Sequence, residues 1–234
     1  MHRSPAAPTP LARAAWPAAL ALLATAMTAL PGAAHAAGAW PEPAMAIGQS
    51  APSYKSFIPR GMRLSGPPAR IDSEITPNPV QAYLLQRDSQ YALLIGTTTG
   101  DGRFEAWHWG TFMNCGLCAN DETARTQTTM SVRGKVLNVV TTASSVNEGA
   151  EWKYTWRLRQ RESDGMFELI GLDALTGIEG RQGTRESTNY LSGETLSDTG
   201  TYGNGKLSGI SSSMRTRNGN PAARPTAGEI ETAF

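Results

Sequence analysis

Glu151-Trp-Lys-Tyr-Thr-Trp-Arg-Leu-Arg159 alternates strictly between apolar and basic or hydroxyl side chains after its first residue. In an extended chain Trp152, Tyr154, Trp156 and Leu158 fall on one side, and Lys153, Thr155, Arg157 and Arg159 on the other. A period of two is the mark of a half-buried strand, with its apolar face on a core and its basic face in water. Burying rings such as Trp152 and Trp156 contributes on the order of 2 to 3 kcal/mol each, so they read as core and not as a ligand-stacking platform.

Short apolar runs with turn residues between them recur on both sides of this stretch. Val80–Leu85 and Tyr91–Ile95 read as strands joined near Arg87-Asp-Ser-Gln90, and Thr99-Gly-Asp-Gly102 turns the chain into a strand over Arg103–Trp109. Thr129–Arg133 and Val136–Thr141 flank a Gly134-Lys135 turn. Met166–Gly171 follows Ser163-Asp-Gly165, and Ser187–Leu191 meets Glu194–Leu196 across Ser192-Gly193. Leu172–Arg185 reads as a polar loop, and no segment carries a long helical period. The expected class is all-β: a single antiparallel domain, sandwich or partial propeller-like, with a disulfide-tied loop.

Residues 1–36 place Arg3 and Arg13 before an Ala/Leu run from Ala14 to Leu30, then Pro31-Gly-Ala-Ala-His-Ala36. Basic, apolar and small residues in that order form a secretory signal, cleaved near Ala36, which places the mature protein in the periplasm or outside the cell. The apolar run is shorter and richer in alanine than a membrane span, and no later run approaches the roughly 20 apolar residues a span needs. Residues 37–52 read as a linker, 53–211 as the β domain, and 212–234 as a flexible tail rich in Pro, Gly and Asn. Cleavage removes two arginines and no acid, leaving 19 basic against 20 acidic residues and no basic run to bind nucleic acid.

Cleavage also removes His2 and His35, so His108 is the only histidine of the mature chain. It opens His108–Asp121, the stretch that holds both cysteines. The spacing Cys115-Gly-Leu-Cys118 suits a redox centre, half a metal site or a staple. A redox pair sits at a helix N-terminus after a strand, whereas Ala119–Thr129 offers a turn or two of helix and then β-prone threonines. In an oxidising compartment the two thiols pair by default, and closing so short a loop stabilises by roughly 2 kcal/mol. An oxidised pair cannot ligate zinc with His108 and Asp121, so His108 is expected as a half-exposed strand residue, with no metal and no cofactor bound.

Several motifs together resemble a group of small exported bacterial proteins similar to degenerate FG-GAP/VCBS-type β-repeat proteins. They are Phe57-Ile-Pro-Arg-Gly61, Cys115-Gly-Leu-Cys118, Trp152–Trp156, Phe167-Glu-Leu-Ile-Gly-Leu-Asp173 and Asn189-Tyr-Leu-Ser-Gly193, within roughly residues 55–200. The resemblance implies a β scaffold and, in many members, an Asp-rich calcium loop after the opening motif. Here that place holds Arg70-Ile-Asp-Ser-Glu-Ile-Thr-Pro-Asn-Pro79, two carboxylates without a glycine, too few oxygens for calcium.

No Gly-x-Ser-x-Gly elbow or Ser-x-x-Lys motif surrounds a serine, and any histidine-dependent triad must use His108. Glu148 with Glu151, or Asp164 with Asp173, could serve a cell-wall hydrolase if the fold held them about 5 to 10 Å apart. The leading expectation is a non-catalytic protein that binds a protein or cell-envelope component, of the immunity or accessory type. Its contact residues are expected at His108, Trp109, Asn114, Leu117, Asn120 and Asp121, with the loop Gly177–Arg185 as a second region. A thiol-disulfide or metal-binding protein using Cys115 and Cys118, and a cell-wall hydrolase, are the alternatives.

Overall fold

A computed structural model describes residues 41–112 and 123–217. Thirteen strands make up nearly all of their regular structure: β1 (Ser50–Ala51), β2 (Arg63–Leu64), β3 (Ala69–Ile71), β4 (Val80–Arg87), β5 (Gln90–Thr98), β6 (Phe104–Phe112), β7 (Arg125–Arg133), β8 (Val136–Ser145), β9 (Ala150–Gln160), β10 (Phe167–Ile178), β11 (Gln182–Asn189), β12 (Glu194–Gly203) and β13 (Lys206–Arg217). They form two sheets. The first has the order β1-β6-β5-β4-β2, with β3 also paired to β4; the second is a seven-stranded meander from β7 to β13. Every pairing is antiparallel, and one of the sheets curls into a half-barrel. No helix among the described residues is long and apolar enough to cross a membrane.

Both sheets contribute to one core. Val80, Leu84, Leu93 and Ile95 of the first pack with Leu137, Val139, Trp156, Leu158 and Phe167 of the second. The alternation of β9 is realised there in part: Trp156 and Leu158 are buried and Tyr154 stacks on Trp156 with ring centroids 5.7 Å apart, whereas Trp152, expected as core, is only half-buried and outside the cluster. The first sheet is covered on its other face as well, so β5 is buried almost throughout and reads in sequence as an unbroken apolar run. A second cluster does the covering: Phe57 and Met62 pack on Tyr83, Leu85, Leu94 and Phe104, and Tyr54 stacks on Tyr83 at 4.1 Å.

That second cluster corrects the expected linker. From residue 41 onward the segment is docked on the first sheet: Ala44 N–H donates to the Phe57 carbonyl at 2.9 Å, Gly48 N–H to the Ala106 carbonyl at 2.8 Å, and Met45 and Ile47 join the cluster. Two corrections fall on the second sheet. Leu172–Arg185 is no polar loop, because β10 continues to Ile178 and β11 begins at Gln182. Residues 212–217, expected in the tail, complete β13. Asn189 pairs with Glu194, so a four-residue turn over 190–193 replaces the expected two-residue hairpin at Ser192-Gly193.

Candidate functional site

His108 and Trp109 lie in β6, and a bulge decides where they point. The register with β5 slips between Ile95 and Gly96, leaving Trp107 as an extra residue on β6. A bulge of this kind re-aims the side chains beside it. Ala106 and Trp109 consequently join the cluster under the N-terminal segment, and Trp107 packs on the core shared by the sheets. His108 is 4% exposed, and its Nε2 accepts the Phe167 N–H of the opposite sheet at 3.1 Å. The expectation of a half-exposed histidine is therefore corrected. The imidazole ties the sheets together, and its Nε2 lone pair is already used. Burial pushes its pKa down to about 4, although the Asp164 charge pulls the other way. Trp109 donates from Nε1 to the Pro41 carbonyl at 2.9 Å, an anchor for the N-terminal segment. Asn114, Cys115, Leu117, Cys118, Asn120 and Asp121 lie outside the described residues, as does the predicted disulfide.

The structure brings together a different set. On the face of β9–β13 that carries Lys153, strand register arranges the side chains in rows. One runs Lys153, Leu175, Arg185, Asp198, Ser213; the next runs Thr155, Asp173, Ser187, Leu196, Arg215. Two Arg–Asp–Ser relays are built on these rows. Arg157 pairs with Asp173, whose other oxygen accepts from Ser187 Oγ at 2.5 Å. Two strands further on, Arg185 pairs with Asp198, which accepts from Ser213 Oγ at 2.7 Å. Asp198 is almost fully covered, and its hydrogen bonds from Ser213 and then Arg185 hold its carboxyl below the usual range. Each carboxylate fixes a guanidinium that keeps further N–H donors to offer.

A row of glycines bounds this array. Gly177 and Gly183 lie beneath the ring of Tyr202, whose hydroxyl reaches across them to donate to Glu151. Burial and that carboxylate push the phenol pKa up. Three of the four carboxylates considered for glycoside chemistry hold other partners: Glu151 accepts from Tyr202, Asp173 pairs with Arg157, and Asp164 pairs with Arg161, whose Nε lies 2.9 Å from Oδ1. The sequence signal for the array is Gly183-Thr-Arg-Glu-Ser187, which places Arg185 and Ser187 on one face of β11.

A separate cleft of about 490 Å³ opens where the N-terminal segment, β6 and the β9–β10 turn converge, walled by Ile47, Ile75, Trp107 and Met166 and edged by Glu105 and Gln160. Among the described residues no three His, Cys, Asp or Glu side chains converge as metal ligands. Comparison with protein-family models, with curated proteins and with solved structures finds no match to this chain.

Proposed function

We propose that this is an exported protein that binds a protein or cell-envelope partner and does not turn over a substrate. One observation carries the reading: β13 is a long strand, exposed along nearly its whole length, at the end of the seven-stranded sheet. An outer edge offers unpaired backbone groups to an added strand, a recurrent mode of peptide recognition. Ile210 and Met214 stand 46% and 61% exposed on it, apolar groups for a partner to cover. The charged residues of β13 are Lys206, Arg215 and Arg217, all basic, so the partner it fits is an extended segment bearing acidic side chains.

A photo-crosslinking residue at Ser211, in the middle of β13, is expected to trap a discrete envelope adduct, whereas the same residue at Ser131 on β7, the opposite edge, traps none. Equal yields from the two edges, or no adduct from either, would sink the proposal. Export and the Cys115–Cys118 staple belong to the same reading. Secreted mature protein is expected to show no thiol that reacts under denaturing conditions before reduction and two after it. Two free thiols at the outset would remove the staple.

A further inference from the structure

The rows of β9–β12 enclose a hollow of about 440 Å³. Its floor follows from register: Leu175 stands between Lys153 and Arg185 in one row, and Leu196 beside Ser187 in the next. Neighbouring strands lie about 4.8 Å apart, so the Lys153 and Arg185 backbones are roughly 10 Å from one another. Two long cationic side chains at that spacing can lean together over Leu175 and bracket an anion. Arg157, beyond Thr155 on β9, supplies a third positive group.

Three cations line the hollow against one lining carboxylate, Asp173. Both guanidiniums are held in place, Arg157 by Asp173 and Arg185 by Asp198, so less side-chain freedom remains to be lost when a ligand takes their free donors. Lys153 is exposed and makes no ion pair among the described residues. If the array only stitched the strands together, its relays would suffice, and neither Lys153 nor two leucines at the floor would be needed.

We infer that this hollow binds an oxyanion carried on a short apolar body, with a carboxylate or phosphate head between Lys153, Arg185 and Arg157 and the apolar part on Leu175 and Leu196. The inference goes beyond the edge-strand reading, because the hollow lies on the sheet face and can fill whether or not β13 docks a partner.

Titration of the isolated mature protein tests it, with hexanoate and hexyl phosphate against acetate and inorganic phosphate, alongside sedimentation with phosphatidylcholine vesicles with and without phosphatidylglycerol. At least one six-carbon probe is expected to bind saturably and about tenfold tighter than its bare head group, or the phosphatidylglycerol vesicles alone are expected to carry the protein down. The first result identifies a free anion as the source, the second a lipid head group. Lys153→Met is expected to weaken either about tenfold, the worth of one charge-assisted contact, and Lys153→Glu to weaken it further. Because Lys153 is exposed, both variants should keep the wild-type circular dichroism spectrum. Absence of binding in both arms overturns the inference, and so does binding that neither substitution changes. Neither result bears on the crosslinking at Ser211.

Discussion

Between pH 7 and pH 4 the protein is expected to lose on the order of 3 kcal/mol of stability through a single imidazole. In the unfolded chain His108 titrates near its ordinary value of about 6.5; in the fold, burial holds it to about 4. Above the upper value both states are neutral and the residue contributes no pH dependence. Between the two values the unfolded chain takes up a proton that the native state refuses, so stability falls with pH across that window and stops falling below it. The geometry agrees in direction, because protonated Nε2 could no longer accept the Phe167 N–H that now lies 3.1 Å away. Of the charged groups nearby, Asp164 opposes the shift, yet its carboxylate is shared with Arg161. Urea unfolding at a series of pH values measures the slope. His108→Gln can place an amide oxygen near the Nε2 position without titrating, and is expected to flatten the slope between pH 6.5 and 4.5. A variant as steep as the wild type would show that other groups carry the dependence.

How far this site could be read from sequence turns on β6. Its strand character was legible, since an aromatic run, Phe104-Glu-Ala-Trp-His-Trp109, follows the Thr99-Gly-Asp-Gly102 turn. Strict alternation, however, sets Trp107 and Trp109 on one face and His108 on the other. The bulge opposite Gly96 breaks that rule, sending Trp107 to the shared core and Trp109 to the other cluster. A bulge leaves no reliable trace in a single sequence, because it answers to the neighbouring strand. The docked N-terminal segment was hidden for a similar reason. Met45 and Ile47 carry no period of their own and become core only through the surface that β4–β6 present to them.

The far part of the second sheet, from Leu172 to Arg185 and in β13, departs from expectation for a different reason. Leu172–Arg185 contains threonines, glycines and charges, and of its residues only Leu172 packs on the core shared by the sheets, so little in it demands large apolar side chains. Burial patterns find strands that bury something; β11 and β13 are instead held by hydrogen bonds, ion pairs and neighbouring strands. A local signal did exist. Asn204-Gly205 is the pair a two-residue hairpin favours, and both residues take positive φ, 53° and 69°, between Gly203 and Lys206. Recognising that pair places β12 and β13 without any hydrophobic argument.

Tyr202 supplies what this end of the sheet has in place of a conventional core, and adding one methyl group beneath it is expected to be costly. A Cβ built on Gly177 would stand 2.3 Å from Tyr202 Cγ and 2.5 Å from its Cβ and Cδ2, distances no packed side chain tolerates. The ring cannot slide away freely, because Gly183 closes the adjacent position, where a Cβ would meet Tyr202 Cβ and the Thr176 carbonyl oxygen at 2.8 Å each. Gly177→Ala therefore has to lift a ring that is now 2% exposed and break its hydrogen bond to Glu151, at an expected cost of about 2 to 3 kcal/mol by overpacking. Gly66→Ala is the control: nothing lies within 4 Å of its Cβ position and its φ is not in the left-handed range, so it should stay within about 0.5 kcal/mol of the parent. Tyr202→Phe separates the two parts of the interaction. It keeps the ring over the glycines and removes only the hydroxyl, for an expected loss of about 1 kcal/mol. Equilibrium unfolding of the three variants in parallel decides the matter. If Gly177→Ala were as mild as Gly66→Ala, the ring would not be wedged against β10, and the sheet's end would be held by its Arg–Asp–Ser relays alone.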